Sequence, residues 1–200
     1  MVYQGGTRMA GMIGWGILGP GRIAARFAED LKNAQDAQLV AVASRSHDRA
    51  SGFALRHGAV RAHGSYSSLI ADPDVDIIYV ATPHPFHREN VVSCLEGGKA
   101  VLCEKPLGVN ASEARYMVDC ARERDLFLME GMWTRFLPVT QKVMEWLRLG
   151  VIGEVRMLSA YLGFRTEWNP AGRLLNPELA GGAILDVGVY LVAYASMVFG

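Results

Sequence analysis

The hydrophobic positions of this chain alternate between continuous runs and helical spacing. Met12 to Leu18 is apolar or glycine throughout, the pattern of a parallel strand covered on both faces. A tight Gly19-Pro20-Gly21 turn follows. Ile23, Ala24, Phe27, Ala28 and Leu31 then recur on one helical face, leaving Arg26, Glu29 and Lys32 to solvent. Leu39 to Ala43 reads as the second buried strand and completes a βαβ unit. The alternation continues with a helix marked by Ala50, Phe53 and Ala54, a strand from Ile77 to Ala81, a helix over Val91 to Leu95 and a strand from Ala100 to Cys103. Asn110 and Glu113 form a capping box for a helix running to about Arg124, and Leu126 to Met129 adds a last apolar strand.

After Arg135 the pattern changes. A helix is predicted from Pro138 to Arg148, a strand over Glu154 to Leu162, a loop rich in Asn, Pro and Gly, and a helix beginning near Asp186. Strands alternating with helices predict an α/β fold, a doubly wound parallel sheet of Rossmann type, followed by the beginning of an α+β second domain. The boundaries read as an extension over 1–12, a dinucleotide-binding domain over 13–130 and a partial substrate domain over 131–200. Val187 to Gly200 is uncharged, yet shorter than the roughly 20 residues a spanning helix needs, and reads as a buried helix. Met9 to Ala25 is mostly apolar after Arg8, but its glycines and Arg22 suit a strand and turn better than a targeting signal.

Composition narrows the choice of partner. Among 200 residues, half are hydrophobic and 20 basic side chains balance 20 acidic ones, so nothing favours nucleic acid or an anionic membrane, and a small molecule is the expected ligand. The three cysteines, Cys94, Cys103 and Cys120, are odd in number and lack CxxC spacing, which predicts neither a disulfide framework nor a metal site, and suits a reducing cytoplasm.

The strongest local signal is Gly19-Pro20-Gly21-Arg22-Ile23-Ala24, a GxGxxA dinucleotide fingerprint between a predicted strand and helix. The first glycine permits the turn, the second lets a pyrophosphate approach the backbone, and Ala24 lets the helix pack closely. At the end of the second strand stands Ser44-Arg45-Ser46, where a carboxylate would favour NAD. A hydroxyl and a guanidinium suit the 2′-phosphate of NADP, with NAD the alternative because Asp48 is near. Glu104-Lys105-Pro106 follows a buried strand, so Lys105 is a candidate for proton exchange with a substrate hydroxyl; a surface lysine is the plainer reading of that residue alone. In Gly181 to Tyr190, Asp186 and Tyr190 are spaced to share a helical face, where carboxylate and phenol could meet one substrate. The alternative is an N-cap and a core aromatic.

In this order, Trp15 to Ala24, Ala81-Thr82-Pro83-His84, His87, Glu104-Lys105-Pro106, Met132 to Phe136, Ile152 to Val155 and Gly181 to Tyr190 resemble the glucose-fructose oxidoreductase and inositol dehydrogenase (Gfo/Idh/MocA) family, in particular its dihydrodiol dehydrogenase and D-xylose dehydrogenase branch. The resemblance implies that Lys105 is the catalytic lysine and that Thr82, Pro83, His87 and Glu104 lie beside the cofactor, with Gly19, Pro20, Gly21, Arg22, Ile23, Ser44 and Arg45. It pairs Tyr190 with Lys105 for proton transfer, the ammonium making the phenol a better donor, and gives Asp186 the task of orienting substrate. The implied activity is NADP-dependent hydride transfer to or from a sugar or cyclic vicinal diol. The alternatives are an NAD-dependent glycoside hydrolase of the family, disfavoured by tyrosine where such members carry histidine, and a non-catalytic nucleotide-binding regulator. Trp133, Arg135, Phe164 and Trp168 are candidate lining residues, with ordinary packing within the second domain as the alternative. The family's second domain continues into a large sheet through which members dimerise, so the chain reads as truncated, and a homodimer is expected where that sheet is complete.

Overall fold

The computed structural model describes residues 9–200 and divides into two compact units, one ending at Glu130 and the other spanning Gly131–Gly200. The expected extension over residues 1–12 lies mostly outside the described residues. The first unit holds six parallel strands, β1 (Ile13–Leu18), β2 (Ala37–Ala43), β3 (Arg61–His63), β4 (Ile77–Val80), β5 (Ala100–Cys103) and β6 (Leu128–Glu130), in the order β3-β2-β1-β4-β5-β6. Five helices connect them: α1 (Arg22–Leu31), α2 (His47–His57), α3 (Tyr66–Ile70), α4 (His87–Glu96) and α5 (Ala111–Glu123). This is the doubly wound Rossmann arrangement, in which every strand ends on the same edge and β1 sits at the point where the order reverses.

Alternation along the strands builds a core on each face of the sheet. Leu18, Ile78, Val80, Val101 and Cys103 join Leu69, Leu95 and Met117 on one side, whereas Ile17, Val42 and Tyr79 join Ala24, Ala28, Phe53 and Ala54 on the other. Ala24 and Ala28 let α1 lie close to the sheet, as the sequence predicts. Ile23 departs from the expected apolar face: it is 45% exposed in the first turn of α1. The predicted cap at Asn110 forms, its side chain accepting from the Glu113 amide at 2.9 Å, while the Glu113 carboxylate accepts from Val109, one residue before the cap. The short strand β3 and helix α3 escape the pattern reading because neither is long enough to show a period.

In the second unit α6 (Pro138–Arg148) forms as predicted. Glu154 to Leu162 does not form a strand. A strand exists through its ladder of backbone hydrogen bonds, and among the described residues of this unit no second extended segment pairs with it. The C-terminal helical stretch opens with a π-helical turn at Ile184–Gly188 and continues as α7 (Val189–Phe199). None of the residues of α7 is buried, a correction to the expected buried helix, because the unit brings little besides α6 against it. Residues 177–199 are apolar and long enough to cross a membrane by length and composition. Ala180 and Gly182, both at positive φ, interrupt them, so the continuous helical part from Ile184 reaches about 24 Å at 1.5 Å per residue, short of a ~30 Å hydrocarbon core.

Candidate functional site

The carboxyl edge of the sheet in the first unit gathers most of the residues singled out in sequence. The ladders run on into the loops there: Gly19 N donates to Ala43 O at 3.1 Å, Ala81 N to Leu18 O at 2.9 Å and Glu104 N to Val80 O at 2.9 Å. The turns after β1, β4 and β5 are therefore extensions of the sheet rather than loose connections. Gly19 has φ +97°, and a Cβ there would stand 3.1 Å from Thr82 Cγ2 and 3.2 Å from the Ala81 carbonyl, so this position requires glycine on both counts. At Gly21 a Cβ would meet nothing within 4 Å. Gly21 is also the N-cap of α1, with no side-chain cap and no acidic residue in the first turn, which leaves the first amides of α1 to a ligand anion approaching over bare backbone. Pro20, between the glycines, is half-buried, and Arg22 is exposed. These features fit a dinucleotide pyrophosphate.

At the end of β2 the structure refines the expectation for Ser44. Its side chain is buried, and its Oγ accepts from the Ser46 amide at 3.3 Å, so the hydroxyl belongs to the turn. Arg45 and Ser46 are exposed, and Ser46 caps α2 by accepting from the Arg49 amide. Arg45 is thus the better placed of the two named residues to meet a 2′-phosphate.

The loops after β4 and β5 are tied together from below. Thr82 and Pro83 are half-buried; the Thr82 hydroxyl accepts from Asn90 Nδ2 at 3.0 Å, and the Thr82 carbonyl faces His87 Nε2 at 2.8 Å. The other ring nitrogen of His87 lies 2.8 Å from the Pro106 carbonyl. His87 is 0% exposed, and both of its ring nitrogens face carbonyls of the two loops, so its contacts are with the loops themselves. Glu104 is likewise engaged, accepting from the Tyr79 hydroxyl and from the Lys105 amide. Lys105 stands between that carboxylate and a cis peptide bond to Pro106, and the Glu130 carboxylate holds the Leu107 amide at 2.7 Å. Beneath the loop, burial pushes the Cys103 thiol well up, and the neighbouring Glu104 and Glu130 carboxylates add to it, so it stays a neutral core group.

In the second unit, Tyr190 lies in the first turn of α7 and its phenol oxygen accepts from Trp133 Nε1 at 3.2 Å. Asp186 sits inside the π-helical turn and accepts from Arg173 Nη1 at 3.0 Å. The π turn carries more residues per revolution than an α-helix, so Asp186 is neither an N-cap nor in simple i,i+4 phase with Tyr190. Phe164 and Trp168 are strongly exposed, Trp168 at 83%, and Arg135 is exposed as well. Sequence reading passes over Tyr79, Asn90, Glu130 and Arg173; only Asn90, three residues from His87 on one helix, carries a local signal.

Comparison with known proteins places these features in a family. Residues 13–132 match the model described as "Oxidoreductase family, NAD-binding Rossmann fold", and residues 140–200 match the GFO/IDH/MocA C-terminal domain. The chain belongs to the GFO/IDH/MocA oxidoreductase family. Trans-1,2-dihydrobenzene-1,2-diol dehydrogenase of Homo sapiens is 46% identical over 188 residues, which are 93% of this chain and 56% of the relative; that of Xenopus laevis is 44% identical over 187 residues, 92% and 56%. The chain therefore spans about half the length of the curated relatives it matches. Among solved structures, a 3-ketoreductase from Actinomadura kijaniata in complex with NADP and TDP-benzene superposes with a TM-score of 0.83 at 32% identity, over 94% of this chain and 58% of that one.

Proposed function

We propose that this chain carries the cofactor-binding domain and part of the substrate domain of an NADP-dependent dehydrogenase that acts on a cyclic vicinal diol or a sugar. The observation that carries the reading is the edge formed by Gly19, Gly21, Thr82 and Lys105, in which the glycine turn, the turn after β4 and the lysine loop are hydrogen-bonded continuations of adjacent or near-adjacent strands. The relatives named dihydrodiol dehydrogenases and the NADP-bound 3-ketoreductase support both the substrate class and the cofactor.

Gly19 and Gly21, with the amides of Arg22 and Ile23, would hold the pyrophosphate, and Arg45 the 2′-phosphate. The nicotinamide, when bound, supplies hydride acceptance or donation. Lys105 exchanges a proton with the substrate hydroxyl or carbonyl oxygen, its backbone fixed on both sides by Glu104 and by the Pro106 carbonyl at His87. Tyr190 is the second proton-transfer group, its phenol oxygen held by Trp133, and Asp186, with Arg173, orients substrate hydroxyls.

Titration with NADPH and with NADH, followed by quenching of tryptophan fluorescence, tests the cofactor. Tight binding of NADPH with NADH at least tenfold weaker is expected; a folded chain that binds neither overturns the proposal. Trans-dihydrodiols and aldoses, screened for NADPH formation with Lys105→Ala as the control, test the substrate class.

A further inference from the structure

The buried ring of His87 has carbonyl oxygens at both nitrogens, the Pro106 oxygen 2.8 Å from Nδ1 and the Thr82 oxygen 2.8 Å from Nε2. A carbonyl oxygen only accepts. A neutral imidazole offers one N–H and one lone pair, so either neutral tautomer would set a lone pair against an oxygen at hydrogen-bonding distance. We propose that His87 carries a proton on both ring nitrogens and is a positioning residue, a cross-brace that joins the Thr82-Pro83 turn at the cofactor edge to the Pro106 turn behind Lys105.

The two braced turns belong to adjacent strands, β4 and β5, yet no backbone ladder joins them beyond Glu104 N to Val80 O. His87 supplies the missing link from α4, and Asn90, one helical turn further along, holds the Thr82 side chain from the same helix. Thr82 in turn packs where a side chain on Gly19 would stand. A line of contacts therefore runs from the glycine turn through Thr82 and His87 to the lysine loop. The His84 ring packs edge-on against His87 with centroids 5.7 Å apart, and closes that side. The protonation claim stands on geometry alone; the positioning role rests on reading the edge as a cofactor and lysine site.

The test is nitrogen-detected NMR of the whole chain labelled with ¹⁵N-histidine, the His87 resonances being assigned by their loss in His87→Gln. Two ring N–H signals that exchange slowly with solvent are expected for His87. A single N–H signal, or a tautomer mixture, overturns the proposal whether or not nucleotide binds. Glutamine donates from one end only and restores at most one of the two bonds. In a folded His87→Gln chain, amide exchange at Lys105 and Leu107 should rise while that of β2 and β3 stays unchanged, and the NADPH dissociation constant should rise about tenfold, the effect of losing one charge-assisted bond. Unchanged exchange at those amides in the folded variant overturns the brace. If the unaltered chain binds no NADPH, the functional reading fails, while the ring signals and the ligand-free exchange still decide this one.

Discussion

The indole N–H of Trp133 donates to the phenol oxygen of Tyr190 over 3.2 Å, and the two rings meet edge to face with centroids 6.3 Å apart. A donor at the phenol oxygen fixes the hydroxyl rotor and stabilises negative charge on it. With Tyr190 in the proton-transfer role proposed above, Tyr190→Phe should lower turnover about 100-fold or more, with NADPH affinity unchanged. Trp133→Phe keeps the ring contact and removes the donor, and should lower turnover about tenfold. Steady-state kinetics of the two variants checks both; equal activity of Trp133→Phe and the parent would separate the indole from the reaction.

The two glycines of the fingerprint should fail in different ways. Gly19→Ala meets positive φ and two close neighbours, so it should destabilise the first unit by about 1–3 kcal/mol and abolish nucleotide binding together. Gly21→Ala meets open space and an extended backbone, so the melting temperature should hold while NADPH affinity falls sharply. Thermal melts beside fluorescence titrations distinguish the two.

Asp72 is the buried anion of the sheet's other end. Its carboxylate accepts from Arg61 Nε at 2.8 Å and Nη2 at 2.7 Å, and pairs with His63 at 3.0 Å. Burial pushes its carboxyl up, but the bonds from Arg61, His63 and the Asp74 amide outweigh that and hold it below the usual value. A carboxyl depressed on folding stabilises the protein above the ordinary carboxylate range, and that contribution is lost as pH falls through it. Asp72→Asn should therefore cost about 3 kcal/mol at pH 7, and the gap to the parent should close below about pH 4. Urea unfolding at several pH values measures it.

Cys94, Cys103 and Cys120 are all buried free thiols, and burial pushes Cys94 up to about 12, partly offset by Lys99. The native chain should react with a thiol reagent at none of the three over minutes, and at all three once unfolded. A colorimetric thiol count before and after denaturant decides it.

The buried strands are legible in the sequence because a parallel strand covered on both faces needs unbroken apolar runs, and Leu39 to Ala43 or Ala100 to Cys103 can hardly be anything else. The glycine turn is legible for the same local reason. β3 is hidden: Arg61–His63 is an edge strand whose Arg61 and His63 side chains find their partners, Asp72 and Asp74, in the loop between α3 and β4. Glu154 to Leu162 shows the converse, a strand-like pattern with nothing to pair against. The glycine turn and Lys105 can be found by motif, but the supports of the lysine loop cannot. Tyr79 reaches Glu104, and Glu130 reaches Leu107, only because the sheet sets β4, β5 and β6 side by side. The destined partners of His87 are backbone oxygens, which leave no trace in residue identity.

The position of β1 between β2 and β4 also orders events in time. A growing polypeptide can assemble β1, β2 and β3 once His63 has emerged, but the far edge of β1 stays bare until Ile77–Val80 arrives to pair with Trp15–Leu18. The later closure spans a longer loop and is the slower contact to make. Until then Thr82 is absent from beside Gly19, and a half-finished molecule has a glycine turn with no wall behind it. Pairing of β4 with β1 is thus the step that sets Thr82 against the glycine turn and completes this edge of the sheet.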